Sequence, residues 1–312
     1  MGSGDMTVEF AYELKRLFTW ALIPSFLACS TATSSDDIVS ETSDISSPGE
    51  RVDAAPPIVE YSVPENTSRT SFITLFSYGF ADVSTSNVVV GLYDQSPALV
   101  RTVVWEDEQS GCKITRNEFH DRVGTPNMAD AGVLSLTGGP VEVNIPFEEI
   151  GYPAYATADS VLFSGGETLT YQASGGDDIR SFSATTRAPI GATVSQPEYA
   201  PGEFLLFDRS KDLEVRWSGG QTDDQLLLKL THLQADGGAS ITLQCLWPAR
   251  AGQSVVPAAV LSQIPVGTSS FTLITTNRTE IIVPAWGPVG CHADTPATNK
   301  DGAAIDTEVQ LE

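Results

Sequence analysis

The sequence is poor in the residues that metal sites and general-base catalysis require. Its 312 residues include four cysteines and three histidines. No CxxC pair and no cysteine–histidine cluster at zinc spacing occurs, so we predict no structural zinc site and no other cofactor. The three histidines, His120, His232 and His292, also leave few candidates for a general base.

Basic residues are scarce as well. The chain has 17 Lys and Arg against 40 Asp and Glu, a formal net charge of −23 at pH 7. A surface of this sign repels phosphate backbones, so we predict no nucleic-acid partner. Nucleotide binding is not expected either, because the Gly-rich turns lack a following helix N-terminus and a lysine. We expect the acidic residues to keep an exported protein soluble, with cation binding as the alternative.

No apolar run near the N-terminus is long enough to span a bilayer. Leu17–Ala28 has twelve residues without charge, whereas a spanning helix needs about 20. Lys15 and Arg16 stand directly before it. A basic pair followed by a short apolar run is typical of a signal peptide.

The end of this run carries a lipid-attachment pattern. Phe26, Leu27, Ala28 and Cys29 resemble the lipobox of bacterial lipoprotein precursors, although the first two are larger than that family's usual residues. The resemblance implies that residues 1–28 are removed and that the membrane is a partner through lipid on Cys29. Two alternatives stay open: an ordinary signal peptide cut near Ala28, and a buried N-terminal helix.

The segment after Cys29 is polar. Residues 29–67 are rich in Ser, Thr, Pro and acids, with Arg51 as their one basic residue and Tyr61 as their one aromatic. Such a segment buries too little apolar surface to offset its chain entropy, so we predict a disordered acidic tether. Ser30, rather than aspartate, after the cysteine implies export to the outer membrane by the same resemblance. A secreted or periplasmic protein is the alternative.

From Ser71 onward the pattern has the two-residue period of β-strands, interrupted by Gly-Gly and Pro-containing turns. We predict an all-β fold of two tandem β-sandwich modules, residues 68–189 and 190–291, followed by a polar tail over 292–312. Trp217 ends a strand whose apolar residues alternate, which predicts a core position. Pro257 begins an apolar stretch that predicts one or two helical turns.

Several of these patterns resemble a known group of proteins. The stretches SGCKIT, DAGVLSLTGG and LFSGGETLTYQASGGD, and later DLEVRW, SITLQCLW and VPAAVLSQIPVG, are similar to uncharacterised bacterial lipoproteins of the myxobacterial type. The resemblance spans about residues 60–291. It implies two β-modules, the second immunoglobulin-like, and a place in the cell envelope, and it implies no reaction.

Strand parity suggests a pairing for the remaining cysteines. Ile281, Val283 and Cys291 fall on the same alternate set, which should face the core, and Cys245 also faces inward on its strand. We therefore predict a Cys245–Cys291 disulfide. A bond from Cys112 to either of them, or a free buried Cys112, remains open.

No nucleophile elbow of the GxSxG type occurs, and the histidines have no catalytic surroundings. His232 is expected to be a surface or half-buried strand residue, and His120 a loop residue. Asp177-Asp178, after Gly-Gly, is the nearest approach to a calcium loop. We expect these acids to be solvated loop tips.

These observations predict a lipid-anchored protein of the cell envelope that binds or scaffolds rather than catalyses, with envelope glycan or a surface protein as partner. The alternative is a carboxylate-dependent hydrolase acting on glycan. It would need two acids from distant strands in a cleft beside Trp105, Tyr152 or Tyr155. A Ca²⁺-stabilised adhesion module is a third hypothesis.

Overall fold

The computed structural model describes residues 70–80, 83–93, 99–119, 128–149, 151–157, 160–234 and 239–312. The predicted signal peptide, the tether, Cys29 and His120 lie outside these residues. The described residues form β-strands joined by loops, with one helical turn and one 3-10 turn, which confirms the all-β class.

Eighteen strands are formed by the described residues. They are β1 Thr70–Phe80, β2 Val83–Tyr93, β3 Leu99–Asp107, β4 Cys112–Phe119, β5 Leu134–Thr137, β6 Val143–Ile145, β7 Tyr155–Thr157, β8 Thr168–Ala173, β9 Phe182–Arg187, β10 Ala192–Gln196, β11 Leu205–Phe207, β12 Leu213–Gly219, β13 Gln225–Leu233, β14 Ala239–Pro248, β15 Gln253–Val256, β16 Gly267–Val283, β17 Gly287–Pro296 and β18 Asp306–Leu311. A single helical turn, α1, covers Ala258–Leu261, and Ala249–Ala251 forms a 3-10 turn.

Eleven of the strands form one large sheet. Its order is β3-β4-β14-β13-β16-β17-β1-β2-β7, with β18 beside β16 and β11 beside β18. Pairing is antiparallel except for β1 with β17 and β11 with β18. The 17-residue β16 connects the two parts of this sheet, because β18 pairs with its first half and β17 with its second half.

Two smaller sheets cover the large one. The first has four strands in the order β6-β5-β8-β9, and the second has three in the order β10-β12-β15. The four-stranded sheet encloses the first core with β1, β2 and β17, and the three-stranded sheet encloses the second core with β4, β13, β14 and β18. Phe271 and Leu273 of β16 belong to the second core and Val283 to the first. All three have odd numbers, so both cores lie on the same face of the large sheet.

Alternation of apolar and polar side chains along the strands places the core residues. In β8 the buried residues are Leu169, Tyr171 and Ala173, and the residues between them are exposed or half-buried. Trp217 is 5% exposed, which confirms its predicted core position. Its indole stacks on Trp247, with ring centroids 5.9 Å apart, and its Nε1 donates to the carbonyl of Ala249.

The crossover after Pro257 also follows the prediction. One turn of helix, α1, begins there, and Val260, Leu261 and Ile264 are buried in the second core. Among the described residues, no helix has the length and apolar character that crossing a bilayer requires.

The predicted boundary at 189/190 does not separate two independently paired sets of strands. Strand β4, from the predicted first module, pairs with β14 of the second, and β1 pairs with β17. The two cores therefore share one sheet whose strands come from both halves of the sequence. The immunoglobulin-like character of the second half stays a prediction.

The predicted polar tail over 292–312 is wrong. Strand β17 continues to Pro296 and β18 joins the edge of β16. Ile305, Val309 and Leu311 are fully buried in the second core. The frequent polar residues between them concealed a strand, because alternate residues of a strand point to opposite faces of its sheet and only one set is buried in the core.

Candidate functional site

The disulfide joins Cys112 to Cys245, so the predicted Cys245–Cys291 bond is wrong. Cys112 and Cys245 are direct partners across β4 and β14. The parity argument placed Cys291 on the correct face, and Cys291 is indeed fully buried. Cys291 lies in the first core, however, and Cys245 in the second. Parity identifies a face of a sheet but not a position along it.

Cys291 remains a free thiol. Burial raises the pKa of this thiol to about 12, so it stays protonated and unreactive at neutral pH. The described residues give it no role beyond packing.

The aromatic residues considered for a hydrolase serve as packing groups. Trp105 packs against the second core and Tyr155 against the first. The Tyr152 hydroxyl accepts from the amide of Ala131 at 2.8 Å and donates to the carbonyl of Gly132 at 2.9 Å. Burial raises the pKa of Tyr152 to about 12. Its hydroxyl is thus committed to the backbone.

Two carboxylates from separate segments do approach Tyr152. Asp130 and Asp178 both act electrostatically on it. Asp178 accepts from the amide of Asp130 at 2.9 Å, and Asp130 accepts from the amides of Gly132 and Asp177. These contacts tie two loops together. No group of three or more His, Cys, Asp or Glu that suits a metal ion occurs among the described residues, Asp177 and Asp178 included.

His232 is half-buried on β13, as predicted for a strand histidine. Its Nδ1 lies 3.1 Å from the hydroxyl of Ser269. This contact is a cross-strand hydrogen bond.

A buried polar row on β16 and β17 was missed by the sequence analysis. Thr276 pairs with Asp294 and Arg278 with His292 across these strands. The Thr276 hydroxyl donates to Asp294 and accepts from Nε of Arg278 at 3.2 Å. Burial raises the pKa of Asp294, against the opposing charge of Arg278. Burial, with Arg278, lowers the pKa of His292 to about 3, so its ring is neutral at pH 7.

This row can be recognised only when the pairing register of β16 and β17 is known. Its residues stand at alternate positions of the stretches TNR (276–278) and HAD (292–294), which resemble ordinary polar strand ends. With the register, polar side chains from two neighbouring strands fall on one line. The row lies on the face of the sheet opposite the two cores, because its residues have even numbers.

A groove of about 610 Å³ opens at one end of the second core. Segments 196–198, 203–207 and 212–214 line it, together with Ala200. It thus lies between the edge strand β11 and the beginning of β12, where the large sheet and the three-stranded sheet separate. In this region the apolar interior of the second sandwich reaches the surface.

The apolar wall of the groove is β11 with the residue before it. Leu205 and Phe207 face inward, and Phe207 packs edge-to-face on Phe271 with ring centroids 5.2 Å apart. Phe204 and Leu206 alternate with them and are each 66% exposed. Two large apolar side chains so exposed at one strand edge form a surface that water solvates poorly.

The rest of the groove is acidic. Glu198, Glu203, Asp212 and Glu214 line it and are all exposed. Asp212 accepts from the amide of Ala258 at 2.8 Å, and Glu214 forms an ion pair with Arg216 at 2.9 Å. The groove therefore combines exposed apolar side chains with four carboxylates.

The first core contains a much smaller space. It has a volume of about 10 Å³ and is lined mainly by apolar side chains such as Ile73, Leu136 and Val143. That volume holds about one water molecule at most. The groove at β11 is therefore the better candidate for a binding site.

No protein-family model matches the chain, and no curated protein matches it. Solved structures give distant matches. The fibronectin(III)-like modules of Clostridium thermocellum CbhA are 9% identical, with 62% of this chain and 88% of that chain covered and a TM-score of 0.16. A Ca²⁺-stabilised adhesin with which an Antarctic bacterium binds ice is 11% identical, with 66% and 45% covered and a TM-score of 0.15. A 1.5-MDa bacterial ice-binding adhesin is 12% identical, with 74% and 75% covered and a TM-score of 0.16. No statement about this chain rests on likenesses this distant.

Proposed function

We propose that this chain is a lipid-anchored, extracytoplasmic β-sandwich protein that binds or scaffolds a partner at the bacterial cell envelope without catalysing a reaction. The anchor part rests on the lipobox-like residues that end in Cys29 and on the acidic segment after them. The binding part rests on the groove at β11.

The observation that carries the binding role is the exposure of Phe204 and Leu206 beside four carboxylates. Neither apolar side chain contributes much to the second core, because two thirds of each remains in solvent. Burying them in a complex would remove apolar area from water, which stabilises the complex by about 25 cal/mol for each Å² buried. This burial would contribute free energy to binding. Exposing the two side chains in the free chain costs the fold little, because they add little to its core.

The hydrolase alternative is less well supported by the same residues. A glycosidase needs two carboxyl groups placed on either side of a bond, with one of them desolvated enough to act as an acid. The carboxylates of the groove are exposed, and Asp212 and Glu214 already have partners. Asp130 and Asp178 are occupied by backbone amides.

Two measurements test the proposal. Intact mass of the chain extracted from membranes should correspond to a polypeptide that begins at Cys29 and carries acyl chains. A mature chain that begins at Cys29 without acyl mass would contradict the anchor.

Binding is tested by co-sedimentation of the full chain, carrying Cys29→Ser to remove the lipid, with bacterial envelope fragments. We expect retention to fall about tenfold when Phe204→Ser and Leu206→Ser are combined. Ile282→Ser is the matched control, because Ile282 is 70% exposed on another strand. Equal retention of all three chains would overturn the binding role of the groove.

A further inference from the structure

We infer that the partner presents an extended segment that adds to the free edge of β11 as a new strand and alternates apolar with basic side chains. This inference rests on the proposed binding function and names the kind of partner that the groove accepts. Three features of the groove carry it: an unpaired backbone edge, an alternating apolar surface and an acidic rim.

The backbone edge comes first. Strand β11 pairs with β18 through Leu205, Leu206 and Phe207, and among the described strands it pairs with no other. The carbonyl of Phe207 accepts from the amide of Glu312 at 3.0 Å, so Phe207 directs its backbone groups toward β18. Successive residues of an extended strand point their amide and carbonyl groups to opposite sides. The N–H and C=O of Leu206 therefore point toward the groove, where an added strand can pair with them.

The opposite wall of the groove leaves room for that strand. Leu213, Glu214 and Val215 of β12 pair with β15. On the other side of β12, β10 ends at Gln196, which pairs with Arg216. Pro197 follows, and because proline has no amide hydrogen, β10 cannot continue along β12. The space that a longer β10 would fill is part of the groove.

The side chains select an apolar residue at every second position of the partner. Phe204 and Leu206 stand two residues apart and are exposed to the same extent. Residues opposite each other on neighbouring strands lie about 5 Å apart on one face. A partner strand with apolar residues at alternate positions would thus cover both side chains.

The rim selects basic residues at the intervening positions. Glu198, Glu203, Asp212 and Glu214 place four carboxylates around the groove. The same charge disfavours a second copy of this chain, whose net charge is −23, because like charges brought together across an interface cost energy. Edge strands that avoid self-association carry charged residues of this kind. The acidic rim therefore admits a basic strand and rejects the chain itself.

The experiment uses the full chain with Cys29→Ser and a fluorescent peptide of four Val-Lys repeats, capped at both ends. Fluorescence anisotropy should give saturable binding, and the Phe204→Ser/Leu206→Ser chain should bind about tenfold more weakly. Ile282→Ser should bind like the parent chain. A Val-Glu repeat of the same length should bind at least tenfold more weakly than the Val-Lys peptide, and equal affinity would overturn the charge argument.

The strand geometry is tested by two further Val-Lys peptides. One carries N-methyl groups on its valine amides and the other on its lysine amides, so that each loses the hydrogen-bond donors of one edge. A loss of binding in either peptide supports pairing with β11. Undiminished binding of both would overturn strand addition.

The peptide assay and the co-sedimentation assay fail in different ways. If the Val-Lys peptide does not bind while envelope retention still depends on Phe204 and Leu206, the inference about the strand is overturned and the binding function stands. An outcome of this kind would point to glycan. If retention is independent of the two residues, the proposed function itself is overturned.

Discussion

The two cores lie on one face of the same large sheet, yet a groove opens to solvent at the second, whereas the space within the first is small. Four strands cover the first core and leave a space of about 10 Å³. Three strands cover the second, and the groove of about 610 Å³ lies where the cover ends. Neighbouring strands of a sheet are about 4.8 Å apart. The three-stranded sheet is therefore narrower than the four-stranded sheet by about that distance. This difference in cover places a candidate binding surface beside β11.

The open core is also the one that carries the disulfide and the tryptophan stack. Cys112–Cys245 joins strands that are 133 residues apart in sequence, and Trp217 stacks on Trp247 within the same core. The first core instead has a buried free thiol, Cys291, which also faces inward. The second core, which is covered by fewer strands, is thus cross-linked by a disulfide, whereas the first core is not.

The largest expected effect comes from removing that bond. Replacing both Cys112 and Cys245 by alanine should lower the free energy of unfolding by about 4 kcal/mol, because a cross-link that closes a loop of this length restricts the unfolded chain strongly. Cys291→Ala removes one buried sulfur from the first core and should cost about 1 kcal/mol. Urea unfolding of the three chains under non-reducing conditions measures both. Equal destabilisation would contradict the different roles of the two cysteine sites.

The second test concerns the junction between the cores. Asp224 is 1% exposed and accepts from the amides of Gln221 and Ile190 and from Nδ2 of Asn277. Asp224→Ala leaves these donors without an acceptor and should cost about 3 kcal/mol. Asp223→Ala, at an exposed neighbour, should change stability by less than about 0.5 kcal/mol. Comparable losses in the two variants would mean that Asp224 does not connect the cores.

The third test uses acid and the buried histidine behind the first core. The pKa of His292 is about 3 in the folded state against 6.5 in the unfolded state. Between these two pH values the unfolded chain binds a proton at His292 and the folded chain does not. The contribution of His292 to the free energy of unfolding is therefore fully present above pH 6.5 and falls as the pH is lowered, by about 2 kcal/mol at pH 5.

The neighbouring Asp294 acts in the opposite direction, because its raised pKa lets the folded chain take up a proton sooner. The measurement is therefore the difference between the parent chain and His292→Asn in unfolding free energy at pH 7.5 and pH 5. We expect the variant to lose less stability on acidification. A parallel loss in both chains would show that His292 does not resist protonation.

The smallest expected effect is in the groove. Phe204→Ala should change the free energy of unfolding by less than about 0.5 kcal/mol, because the side chain is 66% exposed. Ile282→Ala is the control and should behave alike. Thermal and urea unfolding of both variants provide the values. A loss above about 2 kcal/mol for Phe204→Ala would place this residue in the core and remove it from the binding surface.

The sequence predicted the parts of the fold that depend on local alternation. Trp217, the turn after Pro257 and the inward direction of Cys245 and Cys291 all follow from a period of two or from proline. Partners in a sheet depend on contacts between distant segments, and no local pattern encodes them. The strand pairing across the predicted 189/190 boundary and the choice of Cys112 as the disulfide partner could not be predicted for this reason.

The candidate site was beyond local patterns for the same reason. Phe204 and Leu206 alternate with Leu205 and Phe207, and an apolar run of this kind predicts a fully buried strand. They are exposed because β11 lies at the edge of the large sheet. Its neighbour there, β18, comes from residues 292–312, for which the sequence predicts a tail. The edge is visible only in the assembled sheet.

The most direct test of the open second core is amide hydrogen exchange in the free chain, resolved for single residues of β11. The backbone of Leu205 and Phe207 faces β18 and that of Leu206 faces the groove. We therefore expect the amides of Leu205 and Phe207 to be protected and the amide of Leu206 to exchange at least tenfold faster. Equal protection of all three amides would mean that the edge is already paired, and the groove could not then accept a partner strand.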